Sequence, residues 1–389
     1  MTKTTNFIGR IDALDLMRGW FLVVIAADHL LRFPSIFDPF TGRGLLWVTA
    51  AEGFFFISGM LVGIARGRDV HTKGIQAATK KVWSRAAKLY VASVVLSLLY
   101  TFVAYYLQSR GVTAIKGGLI HFGSAWDLLI NTLTLGYNYG WADFLGYYAV
   151  FLALSPLALL LLRHRLWWVI VWISLTLWLV KDLVNLPFPS FYGIWQVYFF
   201  LGMVFGHHFG AIRTYFELLP QRAARLIRGG IVVLSAITVV ASLILTFGTP
   251  FFLDHGRSLT GLLAALHLPP PAAFYDFFFN VKENRVFNEL LQNNRTGILR
   301  LPLFLLWFAA LFIVVRRYED RITRYAGWLL LPLGKNSLYV YIIQSVLAFS
   351  VPLLFLPFNF AVNSLINVAA ILICWVAVKR RFLFRIIPR

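Results

Sequence analysis

Long apolar runs, separated by short and mostly basic segments, constrain this chain more than any other feature. Of its 389 residues, 59% are hydrophobic and 13% are charged. The apolar residues are gathered in runs of about 17–25, the length that crosses the hydrocarbon core of a bilayer. A soluble domain would interrupt such runs with polar residues at helical or strand spacing. The sequence therefore predicts an all-α, polytopic bundle that is integral to a membrane.

Ten of these runs are predicted to be transmembrane helices. Their approximate bounds are 14–33, 46–65, 89–108, 143–162, 166–184, 195–211, 229–248, 299–315, 329–350 and 360–378. The connecting segments alternate between many and few Lys and Arg residues. The rich set is the N-terminal tail, 66–88, 163–165, 212–228, 316–325 and the C-terminal tail. Because basic loops stay in the cytoplasm, both termini are predicted to be cytoplasmic, with residues 1–389 forming a single transmembrane domain.

Two of the predicted outer segments are long. Residues 109–142 contain an apolar stretch, 126–135, that is too short to span and is predicted to be an interfacial or re-entrant helix. Residues 249–298 contain three consecutive prolines and a group of aromatic residues. This outer loop could form a lid over an outward cavity, and an interfacial loop is the alternative.

The net charge of +20 is explained by basic segments that we expect to lie at the membrane surface. The cations lie between the apolar runs, so we expect the anionic cytoplasmic leaflet to be their partner. No basic stripe is interleaved with exposed aromatic residues, so nucleic-acid binding is not expected. The one cysteine, Cys374, excludes a disulfide within the chain. The histidines and carboxylates do not have zinc-site spacing, so no metal is expected.

The first span carries four ionisable residues, Asp15, Arg18, Asp28 and His29. Such residues are costly within a membrane and indicate a functional site. Eleven residues separate Arg18 from His29, so the two share a helix face and lie roughly 16 Å apart along the axis. Asp15 precedes Arg18 by one turn and can pair with it. One face thus presents a cation near the cytoplasm and a titratable base near the opposite surface.

Glu52 lies early in the second span, where we expect it at a depth similar to that of His29. Asp28 points about 100° away from its neighbour His29. Glu52 is therefore the better candidate to orient the imidazole and balance its charge, and Asp28 completes the set of candidate catalytic residues. Singly, Arg18 could extend to the interface and His29 could be interfacial. Together the ionisable residues favour a site.

Gly59 and Gly63 form a GxxxG pattern in the second span. Such a pattern is typical of close packing between membrane helices. We therefore predict a packing role for these glycines and no chemical one.

The ionisable residues lie in three segments, RIDALDLMRG at 10–19, Asp28-His29, and AAEGFFFISG at 50–59. Together these segments resemble the start of OpgC-type membrane acyltransferases. Weaker similarities follow at 145–156, 195–202 and 333–341. The resemblance therefore extends over most of the chain.

The resemblance implies a function and a location. Such proteins move an acyl group, often succinyl, from cytoplasmic acyl-CoA to an acceptor outside the membrane. In OpgC-type members the acceptor is a periplasmic glucan, and the membrane is the bacterial inner membrane. Their signature, an Arg or Lys followed after ten residues by a His, maps onto Arg18 and His29. The resemblance implies that His29 is the catalytic base and that Arg18 belongs to the donor side.

Two positions depart from the pattern of the resembled proteins. Gln344 stands where many members carry a histidine soon after the late Ser-Leu-Tyr segment. Four residues, 30–33, separate His29 from Pro34, whereas the proline often follows the histidine directly. Both departures bear on which substrate the chain takes.

A polyanionic CoA donor needs cationic contacts near the cytoplasmic surface. Arg18, with Asp15 beside it, and the basic residues Arg66 and Arg68 are the predicted donor-binding residues. Asn336, Ser337 and Gln196 are candidate donors to the oxyanion. The sequence leaves open the acyl group (succinyl or acetyl), the glycan acceptor, an acyl-histidine intermediate and the oligomeric state.

Two rival functions use the same residues. Ionisable groups within the membrane also suit a secondary transporter, although no paired repeat or matched pair of broken helices is apparent. A non-catalytic scaffold is the other rival, and it would tolerate the loss of His29 and Glu52.

Overall fold

The computed structural model describes residues 11–113, 115–180, 190–248, 297–385 and 387. All regular secondary structure within these ranges is helical. The all-α prediction is therefore confirmed for the described residues. The predicted lid at 249–298 lies outside the described residues except for its last two positions.

Thirteen α-helices are numbered here in chain order along the described ranges. They are α1 (Asp12–His29), α2 (Asp38–Thr41), α3 (Ala50–Lys73), α4 (Ile75–Ser109), α5 (Ala125–Leu133), α6 (Asp143–Arg163), α7 (Trp167–Val180), α8 (Ser190–Leu218), α9 (Gln221–Leu243), α10 (Arg300–Arg317), α11 (Glu319–Lys335), α12 (Ser337–Leu354) and α13 (Phe360–Lys379). A 3-10 turn at Gly42–Gly44 follows α2, and a π-helical turn at Ile244–Gly248 follows α9.

The chain divides into two compact units. The first comprises Met1–Phe37, Ala50–Leu219 and Tyr318–Arg389, and it holds α1, α3–α8 and α11–α13. The second comprises Asp38–Thr49 and Pro220–Arg317. Within it α9 and α10 pack together, and Trp307 Nε1 donates to Thr238 Oγ1 at 2.8 Å. The single domain over residues 1–389 stays a prediction.

Six of the described helices are long and apolar enough to cross a membrane, namely α3, α4, α6, α9 with its π-helical turn, α12 and α13. Helices α10 and α11 pass the same test as a pair and would make a seventh span. The chain is therefore a multi-pass membrane protein. The count of ten spans and the cytoplasmic termini stay predictions.

The predicted span at 329–350 is wrong in its bounds, because the helix is broken within it and the span-forming helix is Ser337–Leu354. Helix α11 ends at Lys335, Asn336 has φ −117° and ψ 35°, and α12 begins at Ser337. An apolar run shows that a segment suits the membrane, but it does not show that the backbone is continuous. The break places Ser337 at the first position of α12.

The short helix predicted at 126–135 is present as α5. Ser124 caps it, since its Oγ accepts a hydrogen bond from the Asp127 backbone N–H at 3.0 Å. Leu128 and Thr132, four residues apart, form its buried face. With nine residues it is too short to span the membrane.

Glycines bring α3 and α8 into close contact. A Cβ at Gly59 would overlap the carbonyl oxygen of Phe199, and one at Gly202 would overlap that of Phe56. Gly63 and Gly206 repeat this arrangement one turn further along. The predicted packing role of the GxxxG pattern is confirmed.

Helix α1 is held against α11 in the same way. Gly19 lies against the carbonyl of Leu330, and Gly334 lies against the carbonyl of Asp15. These contacts fix the height of α1, and with it the height of Arg18 and His29, within the first unit.

Candidate functional site

A cavity of about 540 Å³ opens at the N-terminal end of α1. Its charged lining residues are Asp15, Arg18, Arg66, Arg68, Asp69 and Lys81. All four residues predicted to bind the donor therefore surround one cavity. The four cations outnumber the two carboxylates, so the cavity favours an anion.

Asp69 and Lys81 were not predicted as site residues. Asp69 Oδ2 lies 2.5 Å from Arg66 Nη1 and 3.1 Å from Lys81 Nζ. Arg66 and Asp69 are one turn apart on α3, and Lys81 reaches them from the start of α4. The single carboxylate thus holds two cations at the cavity. A lone acidic residue within the basic segment 66–88 was the available sequence signal.

Arg18 is buried, with 7% of its surface exposed. Its Nη2 donates a hydrogen bond to Ser337 Oγ, and its guanidinium carbon lies 5.7 Å from the centre of the Phe54 ring. Ser337, a predicted oxyanion donor, therefore lies near the end of α1 where the cationic cavity opens.

The other two predicted oxyanion donors contact backbone carbonyls. Gln196 Nε2 donates to the carbonyl oxygens of Ser174, at 2.8 Å, and Gly193, at 3.2 Å. Asn336 Nδ2 donates to the carbonyl oxygen of Pro332 at 2.9 Å. Their roles in catalysis stay predictions.

His29 is the last residue of α1, and two side chains from distant parts of the chain contact it. Gln344 Nε2 of α12 lies 3.2 Å from His29 Nδ1. The rings of His29 and Trp141 have centroids 5.1 Å apart and are tilted by 45°. Gln344 was noted only as a departure from the family pattern, and Trp141 was missed.

Trp141 lies in a buried cluster of aromatic side chains, here called the aromatic wall, together with Tyr137 and Tyr139. Tyr139 packs edge-on against Tyr100, with ring centroids 5.6 Å apart, and its hydroxyl donates to the carbonyl oxygen of Lys116 at 2.5 Å. Burial raises the pKa of Tyr137 and that of Tyr139, so both phenols stay protonated. Alternating aromatic residues before a span were the sequence signal for this wall.

Glu52 is fully buried near the start of α3. The two residues that follow it face α1, because Gly53 lies against the ring of Phe21 and Phe54 against Arg18. These contacts place the start of α3 against α1. The depth of Glu52 relative to His29 stays a prediction, and so does its catalytic role.

Asp28 immediately precedes His29 on α1 and is partly buried. Its catalytic role also stays a prediction. In the part of the chain that the structure describes, no three His, Cys, Asp or Glu side chains are grouped to hold a metal ion.

The fold and the site define a class, a multi-pass helical membrane protein with a cationic cavity at one end of α1 and a histidine at the other. The family model described as OpgC protein matches residues 10–385, and the chain belongs to this family. Family membership suggests a glucan-modifying acyltransferase. No curated protein and no solved structure matches the chain.

Proposed function

We propose that this protein transfers an acyl group, succinyl or acetyl, from cytoplasmic acyl-CoA to a hydroxyl of a periplasmic glucan or another exported glycan. One observation carries the proposal beyond family membership. The cavity at one end of α1 gathers Arg18, Arg66 and Arg68, whereas His29 lies at the other end of the same helix. Donor binding and proton transfer are thereby assigned to opposite ends of α1.

The donor side suits the phosphate groups of CoA. Guanidinium groups bind phosphate oxygens through paired, charge-assisted hydrogen bonds. Arg66 and Lys81 already share one carboxylate, Asp69, so a bound phosphate would enter a set of cations that is held in place. No metal is required for this mode of binding.

The topology is also part of the proposal. Ten spans, with both termini in the cytoplasm, would place the cavity on the cytoplasmic side of a bacterial inner membrane. The alternation of basic segments along the chain supports this orientation. His29 would then lie toward the periplasm, where a glucan acceptor is available.

The reaction proceeds by attack of the acceptor on the thioester. His29 takes the proton of the acceptor hydroxyl, and the hydroxyl oxygen forms a bond to the thioester carbonyl carbon. The carbon–sulfur bond then breaks, and the CoA thiolate takes the proton from the imidazolium, which restores neutral His29. Because Arg18 and His29 are roughly 16 Å apart along α1, the pantetheine arm extends along the helix. Glu52 and Asp28 supply negative charge that balances the imidazolium.

Thiol release from acetyl-CoA and succinyl-CoA by the purified protein tests the proposal. A periplasmic glucan extract serves as the acceptor, and His29→Ala is measured beside the natural protein. We expect release that requires both the acceptor and His29, and a glucan whose mass increases by the acyl group. No release from folded protein would favour the secondary transporter. Release that persists in His29→Ala would retain the enzyme and refute the assigned base.

A further inference from the structure

The contact between Gln344 and His29 joins two groups that are 315 residues apart in the sequence. Gln344 lies on α12, with 1% of its surface exposed. Its Nε2 is 3.2 Å from His29 Nδ1. Its Oε1 is buried and has no hydrogen-bond partner among the described residues. A buried acceptor without a hydrogen bond is unfavourable, because it has lost its hydration and gained no partner.

The two ends of a glutamine amide have nearly the same shape, so rotation by 180° exchanges its donor and its acceptor at the same place. If Nε2 of Gln344 donates to Nδ1 of His29, the neutral imidazole carries its proton on Nε2. That nitrogen then cannot take a proton from an acceptor hydroxyl. If Oε1 faces Nδ1 instead, Nδ1 carries the proton and Nε2 of His29 is free to act as a base.

The charge change during catalysis favours the second orientation. A base that accepts a proton becomes an imidazolium, in which both ring nitrogens are donors. An amide NH₂ facing Nδ1 would then oppose another donor. A carbonyl oxygen in that place keeps its hydrogen bond before and after proton transfer.

We propose that Gln344 is a positioning residue whose Oε1 accepts the hydrogen bond from Nδ1–H of His29, leaving Nε2 of the imidazole to deprotonate the acceptor. The inference rests on the proposed acyl transfer. The amide fixes the tautomer and the orientation of the ring without adding a charge. It therefore leaves the imidazole less basic than a carboxylate partner would.

Two substitutions separate the effect of Gln344 on the orientation of the imidazole from its effect on the basicity of the ring. Gln344→Leu keeps the size of the side chain and removes the hydrogen bond, so we expect kcat to fall about 10–100-fold, as for other partners that orient a functional histidine. The KM for acyl-CoA should not change, because the donor cavity is at the other end of α1. Gln344→Glu places a carboxylate at Nδ1 and favours the imidazolium. The rise of kcat with pH should therefore shift to higher pH by about one unit or more.

Ser345→Ala is the matched control. Ser345 is the next residue on α12 and is equally buried, but its Oγ pairs with the hydroxyl of Tyr100 at 2.9 Å. This variant removes two buried hydrogen bonds, to Tyr100 and to the carbonyl oxygen of Ile342, and should retain the natural kcat and pH profile. The other ionisable groups on and around α1 are the same in all variants. They include Asp12, Asp15, Arg18 and Asp28 on α1, and Arg32, Glu52, Asp143, Lys335 and Tyr341 in neighbouring segments.

The natural protein, His29→Ala and the three variants are measured in one thiol-release assay over a range of pH. Absence of release from the natural protein would refute the proposed function. If the natural protein is active and His29→Ala is inactive, natural kcat in Gln344→Leu would overturn the role of Gln344. If Gln344→Leu does not fold, the Gln344→Glu profile decides. An unshifted profile would overturn the inference, and a shift to higher pH would support it.

Discussion

A single contact changes the role that we assign to Ser337. Its hydroxyl accepts a hydrogen bond from the buried guanidinium of Arg18, a residue that lines the cationic cavity. A donor to the oxyanion would instead be needed where the thioester carbonyl meets the acceptor, near His29. The side chain of Ser337 is therefore better suited to holding Arg18 in place.

Ser337→Ala should raise the KM for acyl-CoA and leave kcat nearly unchanged. A hydrogen bond to a charged group contributes about 1.5–3 kcal/mol, so we expect roughly a tenfold rise or more. Steady-state thiol release separates the two constants. A fall in kcat of about 10²–10³, the usual loss for an oxyanion donor, would show that Ser337 acts on the reacting carbonyl.

Arg68→Ala should weaken binding of the CoA donor, because Arg68 lines the cationic cavity. We expect the KM to rise by about tenfold, since a charge-assisted hydrogen bond to phosphate is lost. The control is Arg213→Ala, which removes a cation paired with Glu217 at 2.7 Å, where both side chains are more than half exposed. Equal KM values for the two variants, measured at low ionic strength, would contradict donor binding in this cavity.

The sequence predicted the residues of α1 because regular helix geometry relates them. Arg18 and His29 share a face at a spacing of eleven residues, and Asp15 joins them one turn earlier. Gln344 and Trp141 could not be found in this way, since their contacts with His29 depend on how α12 and the segment before α6 pack against α1. The family pattern drew attention to position 344 but did not give its contact.

At the scale of helices, the α3–α8 contact is sensitive to the volume of the side chains within it. The two helices approach so closely that a single methyl group at Gly202 would overlap the backbone of Phe56. Only a shift of one helix could relieve this overlap, because the backbone has no alternative rotamer.

Gly202→Ala should lower the midpoint of thermal unfolding, with a loss of stability of about 1–3 kcal/mol. Gly230→Ala is the control, since nothing lies within 4 Å of a Cβ at this helical position. There the change should be neutral or stabilising, by up to about 1 kcal/mol, because alanine favours the helix. A Gly202→Ala protein that is as stable as Gly230→Ala would refute the close contact.

The break at Asn336 shows why the bounds of individual helices were predicted less accurately than the all-α membrane class of the whole chain. Residues 329–350 are apolar except for a few positions, so they were predicted to be one span. The structure divides them between α11 and α12. This division places Ser337 beside Arg18, while Gln344, two turns later on α12, contacts His29. The hydropathy of the segment carries no information about that division.

For the whole molecule, apolar run length and charge distribution were sufficient to predict a multi-pass helical membrane protein. They were less informative about the number of spans, because some helices carry the residues of the site. Helix α1 holds Asp12, Asp15, Arg18 and Asp28 within its 18 residues, so its composition alone does not mark it as a span. Asp15 and Arg18 are buried among the helices of the first unit, as is usual for ionisable residues of membrane proteins.

The proposed topology predicts which positions can be labelled from each side of the membrane. Cys374 is the one cysteine and is buried, so Cys374→Ala provides a background for new single cysteines. Gln108→Cys, at the C-terminal end of α4, should react with a membrane-impermeant maleimide in intact spheroplasts. His164→Cys, after α6, and Arg385→Cys, in the C-terminal tail, should react only after the membrane is opened. All three native residues are exposed, so a missing reaction reports the side of the membrane.

Labelling of position 164 from outside would reverse the orientation and move the cationic cavity away from cytoplasmic CoA. Labelling of position 385 alone from outside would preserve the site but require an odd number of spans between positions 164 and 385.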